Sequence, residues 1–498
     1  MYPRGEPPHH IRFTLLIISI SLANFIAAFD ATIVSVANPT ISHLFNILPG
    51  TASSILTVYV LVMAGLVLIF GGISDIIGYK RLFLSGFGIF TLGSFFCGFL
   101  PVFFNSFEAL VASRVIQGIG ASMITAIGPA MVAAFLPMEM RGKAMGTIFT
   151  FAGLGMALGP TVGGILIQYL SWSWIFYINI PIGIGAILLG LVVIPDLAGV
   201  EWRPGFDWIG AVLFFLGLAF LLFTVSSGQT VGWTNPVIIG AMLLAICSLC
   251  LFGICELRSH KPLLELRLFK QANFFLINAL TILMFIDFNG LVYLIPFYLQ
   301  LVMGLSPYVT GLIFTAFPIA LMAGGICSGN LFNKIGGRNI NIIACIPLIL
   351  GYFLVYYIRV FMNSWYMVAC LLLIGIGSGL IWTSASNMVI HSVSKKYQGM
   401  ISSFISLSRF IPLIIGIPIF NIIFMLGIPD LPLSSGINME KLASIDVVNL
   451  AAGFHWAFAF AFLVSILILI VAFFAYPQVH PDYLPDSQPE SEPEKTGE

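Results

Sequence analysis

FTLLIISISLANFIAAFDATIVSVANP, residues 13–39, decides what kind of protein this is. The run contains no Lys, Arg, His or Glu, and Asp30 is its one charged residue. About 20 apolar residues in a helix cross the roughly 30 Å hydrocarbon core of a bilayer, where a helix or a closed barrel alone satisfies its own backbone. The run exceeds the apolar core of a signal peptide, about 7–15 residues, and no A-x-A cleavage site follows it. It is expected to be an uncleaved first membrane helix.

The rest of the chain has the same texture. Of its 498 residues 59% are hydrophobic and 8% charged, against roughly 25% charged in soluble domains, and the mean hydropathy is +1.06. This excludes a water-soluble globular protein. Twenty basic residues balance twenty acidic ones, so there is no excess positive charge to hold a nucleic-acid backbone. Fourteen apolar runs can be traced, the last ending near Tyr476. With the N-terminus inside, sixteen of the twenty Lys and Arg fall in cytoplasmic segments, as the positive-inside rule requires. Arg359 and Lys441 fall outside, and Arg114 and Arg409 within spans. The expected layout is a cytoplasmic N-terminus over 1–12, a six-helix bundle over 13–194 and a linker with two extra helices over 195–256. A second six-helix bundle follows over 257–476, then a disordered cytoplasmic tail over 477–498, rich in Pro, Glu and Ser.

The two bundles are related by a repeat. Gly71, Ile73, Asp75, Gly78 and Lys80 align with Gly329, Leu331, Asn333, Gly336 and Arg338 at an offset of 258, between the second and third spans of each bundle. Gly118, Gly120 and Gly142 align with Gly375, Gly377 and Gly399 at an offset of 257. Duplicated membrane bundles with a binding site between them are a transporter architecture.

Charges in mid-bilayer cost about 2.5–3.5 kcal/mol on insertion scales, so Asp30, Arg114, Asp287 and Arg409 each need a reason. Asp30 and Arg114 sit at comparable depth. They read as a structural ion pair or as a proton-coupling pair, in which a carboxylate gains and loses its proton with the face of the membrane it sees. Asp287 is either satisfied by neighbours such as Asn289 or Tyr293 or draws a cationic substrate. Arg409 divides evenly between structural and functional roles. Gly155-xxx-Gly159-Pro160-xx-Gly163-Gly164 makes a small-residue helix face with a proline break, suited to a tight, bendable contact. Gly71, Asp75, Gly78, Lys80 and Arg81 form either a solvated loop or a charge latch. No nucleophile elbow, P-loop or H-E-x-x-H motif is present, and the seven cysteines lie within apolar runs without metal-site spacing. No enzyme activity, cofactor or metal is expected.

These motifs resemble the major facilitator superfamily and, within it, the fourteen-span drug:proton antiporter family. Asp30-Ala-Thr-Ile-Val-Ser-Val-Ala37 with Pro39 is similar to that family's first-span signature. Gly71 to Arg81 resembles the superfamily's loop motif, with Ile76 where a basic residue is usual. Arg114-xx-Gln117-Gly118-x-Gly120-Ala121 is similar to the fourth-span motif assigned to proton coupling, and Gly155 to Gly164 to the antiporter motif of span five. Trp172-x-Trp174-Ile-Phe-x-Ile-Asn179-x-Pro181 resembles the sixth-span opening. Arg409 matches a family arginine, followed here by Phe410, Ile411 and Pro412 in place of a glycine-bearing continuation.

The resemblance implies an all-α fold of fourteen membrane helices with both termini cytoplasmic, and spans one, four, nine and twelve facing a central cavity. Span twelve adds Trp382, Thr383, Ser384 and Asn387, which either contact substrate or bond between helices. The expected function is export of lipophilic, preferentially cationic compounds against protons, by a monomer in the cell membrane. Alternatives are a same-fold transporter of a dedicated metabolite, siderophore or lipid, and a non-transporting receptor or scaffold, which would have no use for costly buried charges.

Overall fold

The computed structural model describes residues 9–136, 138–195, 207–259, 266–357, 363–392, 398–429 and 445–476; the terminal tail expected over 477–498 lies outside them. Among the described residues fourteen helical spans are long and apolar enough to cross a membrane. The helices that form them are α1 His9–Leu44, α2 Ser54–Ile77, α3 Tyr79–Phe104, α4 Phe107–Phe135, α5 Met138–Tyr169, α6 Asn179–Val193, whose span begins at Trp174, and α7 Trp208–Val231. The others are α8 Pro236–Arg258, α9 Ala272–Phe297, α10 Pro307–Ile335, α11 Gly337–Tyr356, α12 Ser364–His391, α13 Gln398–Leu426 and α14 Val447–Phe474. There is no strand among the described residues.

Each helix arises where a long apolar run satisfies its own backbone, and polar punctuation ends it. Asn235, Ser306 and Asn363 accept from backbone N–H groups of the first turns of α8, α10 and α12, as N-caps do. Prolines lie within several helices and do not end them: α1 passes Pro39 and continues to Leu44, beyond the expected end of its run. Membrane helices tolerate this because neighbours resatisfy the freed carbonyls. Pro296 is followed by a π turn over Tyr298–Val302. The sixth span is broken at Ile178, with a short helix Trp174–Tyr177 before α6.

Helices α1 to α6 pack chiefly as the pairs α1–α5, α3–α4, α2–α4 and α3–α6, and α9 to α14 as α10–α12, α11–α12, α9–α13 and α11–α14. The odd-numbered helices start on one face. There Asn273, at the start of α9, bonds the Tyr476 backbone just past α14, and Arg338, opening α11, donates to Phe473 O at 2.7 Å. Lys80, Arg81, Lys334 and Arg338 mark this basic face. Large apolar side chains point outward, Val192 at 82% and Ile209 at 68% exposure, which in water would be a liability and in lipid is the solvent-matched surface.

The repeat seen in the sequence is also a repeat of contacts. A Cβ on Gly118 would meet Tyr59 O and Val62; one on Gly375 would meet Phe317 O and Ala320, the residues 258 positions later. Gly120 packs on Gly86 and Phe90 of α3, and Gly377 on Ala344 and Leu348 of α11, again 258 apart. The α2–α3 and α10–α11 links turn at Gly78 (φ 92°) and Gly336 (φ 78°), backbone that only glycine adopts freely.

The extra hairpin, α7 with α8, seats on the seam between bundles. Phe214, Leu218 and Leu222 of α7 share a buried cluster with Leu61 of α2 and Ile414 of α13.

Candidate functional site

Asp30 on α1 is fully enclosed by four other helices. Arg114 of α4 donates from Nη1 to Asp30 Oδ2 at 2.6 Å, both side chains 0% exposed. Gln117, one helical turn beyond Arg114, donates to Asp30 Oδ1 at 3.0 Å and to Ser94 Oγ of α3 at 2.8 Å. Its own carbonyl accepts from Arg114 Nη1. Asn179, the first residue of α6, donates to Asp30 Oδ1 at 2.9 Å, and Arg114 Nε donates to Ile55 O at 3.0 Å. The carboxylate thus receives three side-chain donors, one of them a cation, and such charge-assisted bonds are the strong ones.

The guanidinium also has somewhere else to rest. Its carbon lies 4.4 Å from the centre of the Tyr59 ring and 5.5 Å from that of Phe176, and an aromatic face stabilises a cation by about 2 kcal/mol when desolvated. Arg114 Nη2, the Tyr59 hydroxyl and Asn179 Oδ1 are buried without hydrogen-bond partners. The cluster therefore holds spare donors and acceptors beside an ion pair, which a merely structural pair does not need. Sequence reasoning named Asp30 and Arg114 and missed Gln117, Asn179, Ser94 and Tyr59. Gln117 and Asn179 stood inside quoted motifs, which was the available signal.

In the second half Asp287 of α9 is 1% exposed. Its sequence neighbours turn elsewhere: Asn289 donates to Phe285 O at 2.7 Å and the Tyr293 hydroxyl to Asn421 Oδ1 of α13 at 2.7 Å. The Tyr352 hydroxyl of α11 lies beside Asp287, and no other group among the described residues hydrogen-bonds the carboxylate. Trp382 of α12 sits between Phe285 of α9, ring centres 5.3 Å apart, and Arg409 of α13, whose guanidinium carbon is 4.6 Å from its ring. Trp382, Thr383 and Asn387 are partly exposed on α12. Ser384 is not: it is buried and donates to Gly337 O at 2.9 Å, fastening α12 to α11.

Helix α5 presents its small residues in two directions. Gly155, Gly159 and Gly163 lie against α1 at Phe25, Thr32 and Ile33, and Gly164 against Pro307 and Tyr308 of α10. Gly311 of α10 packs on the Pro160 carbonyl, and the Thr161 and Thr315 hydroxyls bond at 2.7 Å. The two bundles are therefore joined away from the basic face. Of the expected latch, Gly71, Lys80 and Arg81 lie at that face around the Gly78 turn; the Asp75 side chain lies outside the described residues.

The profile of the Major Facilitator Superfamily matches residues 20–417. The chain is 30% identical over 414 residues to the riboflavin transporter RibZ of Clostridioides difficile, covering 82% of this chain and 88% of that protein. It is 30% identical over 403 residues to the multidrug resistance protein Stp of Mycobacterium tuberculosis, covering 81% and 74%. Among solved structures it is similar to a D-xylose-proton symporter, with a TM-score of 0.66, 14% identity, and 95% and 99% of the two chains covered. Fourteen membrane helices, a duplicated bundle and these matches together place the chain in the major facilitator superfamily, as a multi-pass transporter of the cell membrane and not an enzyme.

Proposed function

We propose that the protein is a proton-coupled antiporter that exports lipophilic, cationic compounds by alternating access, with its basic face and both termini in the cytoplasm. The observation that carries this is the Asp30 cluster: a carboxylate fully enclosed in the first bundle, held by Arg114, Gln117 and Asn179, with an unused guanidinium nitrogen beside it. Protonating Asp30 releases Arg114 toward the Tyr59 and Phe176 rings and loosens α1 from α4 and α6. Deprotonation draws the three helices together again. A local charge change is thus tied to the packing of α1, which also lies on α5, the helix that joins the bundles. Gly71, Asp75, Gly78, Lys80 and Arg81 bias that equilibrium from the basic face. Multidrug relatives such as Stp support the drug assignment.

Trp382, Thr383 and Asn387 supply the contact surface for substrate, an aromatic with two hydrogen-bonding groups. Arg409 favours a second reading, a dedicated substrate. Its guanidinium lies on Trp382 and has no carboxylate partner among the described residues, an arrangement suited to a flat, acceptor-rich ligand, and the relative RibZ is named a riboflavin transporter. Proteoliposomes with an imposed pH gradient separate the two. A fluorescent lipophilic cation accumulates under the first reading, and riboflavin does not compete with it. Riboflavin movement without cation movement, in vesicles holding folded protein, replaces the first reading by the second.

A further inference from the structure

The internal repeat extends from the glycines to the buried carboxylates. Asp287 follows Asp30 by 257 positions and Tyr352 follows Ser94 by 258, the two offsets already carried by the glycine contacts. Packing confirms the register at this level: a Cβ on Gly93, beside Ser94, would strike Gln117, and one on Gly351, beside Tyr352, would strike Ile374, which is 257 positions after Gln117. On the helices that carry the acids the register holds as well, since Gly290 of α9 meets Phe420 as Ile33 of α1 meets Gly163, each 257 positions on, so the two bundles carry a carboxylate at equivalent places.

They differ in what surrounds it. In the first bundle Arg114 neutralises Asp30, and Gln117 bridges it to Ser94. In the second, Leu371 stands at the place of Arg114 and Ile374 at that of Gln117, both 0% exposed. Tyr352 replaces Ser94 with a side chain long enough to reach the carboxylate. The cation is gone and the acid is kept. Among the helices packed against α9, α13 commits Arg409 to the Trp382 ring and Asn421 to Tyr293. Ser465 of α14 donates to Phe462 O, and Thr315 of α10 bonds Thr161 and its own helix. Arg114, the buried cation of the first bundle, is committed to Asp30. Among the described residues Tyr352 is the titratable group beside Asp287.

A carboxylate anion at 1% exposure, with no cation beside it among the described residues and the Tyr352 hydroxyl as its one polar neighbour, is strongly destabilised, whereas the neutral acid is not. A lure for cationic substrate would be exposed to the substrate, and this group is not. We propose that Asp287 is a second proton-binding site, the counterpart of Asp30 in the second bundle. It holds a proton on one carboxylate oxygen in the packing seen here and exchanges it when the surroundings of Asp287 and Tyr352 open enough to admit water. The role in transport rests on the antiport reading; the protonation itself does not.

Infrared difference spectra in H2O and D2O test it on the purified full chain at neutral pH, comparing the parent with Asp287→Asn, Asp30→Asn and Tyr352→Phe. The expected result is a deuteration-sensitive carboxylic-acid C=O band in the parent that persists in Asp30→Asn. Asp287→Asn lacks that component, and Tyr352→Phe shifts it. A parent without such a band, or an Asp287→Asn protein of unchanged melting behaviour that retains the whole band, overturns the proposal. If Asp287→Asn does not fold, an unshifted band in Tyr352→Phe overturns it. The measurement uses neither gradient nor drug, so its failure leaves coupling through Asp30 standing, and absence of cation transport by the parent leaves the Asp287 band intact.

Discussion

Truncating Arg114 to Ala strands the Asp30 carboxylate among amide donors in a fully enclosed site. Removing one partner of a buried pair costs about 3–5 kcal/mol, so Arg114→Ala is expected to lower the melting temperature markedly and abolish transport. Tyr59→Phe is the contrasting case. The Tyr59 hydroxyl has no hydrogen-bond partner while its ring carries the guanidinium, so the substitution should change stability by no more than about 0.5 kcal/mol, the range of changes that touch no special feature. A thermal melt of the two variants beside the parent checks both; a large loss in Tyr59→Phe would mean that the hydroxyl is engaged. Asp30 and Arg114 were legible in the sequence because charges are rare in spans. Ser94 and Tyr59 were not, since a serine or tyrosine in a helix gives no sign of which neighbour it faces. Ser384 illustrates the same limit: it belongs to a polar run on α12, yet its hydroxyl points to α11, where the Gly337 carbonyl accepts it beside the Met388 side chain.

Helix α5 belongs to both bundles, packed on α1 by three glycines and on α10 by Gly164 and Pro160. Gly311→Val therefore should drive α10 from the Pro160 carbonyl and shift the population toward a state open away from the basic face. With Thr161→Cys as reporter, maleimide labelling above the background of the native cysteines should rise severalfold in the Gly311→Val background; an unchanged rate would mean that α5 and α10 do not close that face. The turns at Gly78 and Gly336 are a separate device. Either residue replaced by Ala should cost about 1–3 kcal/mol from backbone strain, read as a lower melting temperature, and equal losses at the two sites would match their equivalence in the repeat. The helices themselves were legible from run length and the glycine repeat. Their ends were less so: nothing in the residues around Pro39 announces that α1 continues past it, because the neighbours that satisfy the freed backbone come from other helices.

At the scale of the molecule, the α7–α8 hairpin ties the two bundles at one seam. It packs chiefly on α2 and more lightly on α13, and Phe215 fills the space left by Gly65 of α2, so it should travel with the first bundle. The opposite seam, between α5 and α10, has no such cover among the described residues. This asymmetry was invisible in the sequence, where the two extra spans look like any others, because it depends on which helix faces meet. On the proposed antiport reading, alternating access consists of the two bundles rocking about contacts at α5–α10 and α2–α13, driven by proton exchange at Asp30. Transport by Asp30→Asn in proteoliposomes tests this most directly, because substrate counterflow needs the moving bundles but no proton gradient, and accumulation needs both. The variant is predicted to keep counterflow of the lipophilic cation and to lose accumulation driven by the pH gradient. Gradient-driven accumulation at the parent level in Asp30→Asn would contradict the account.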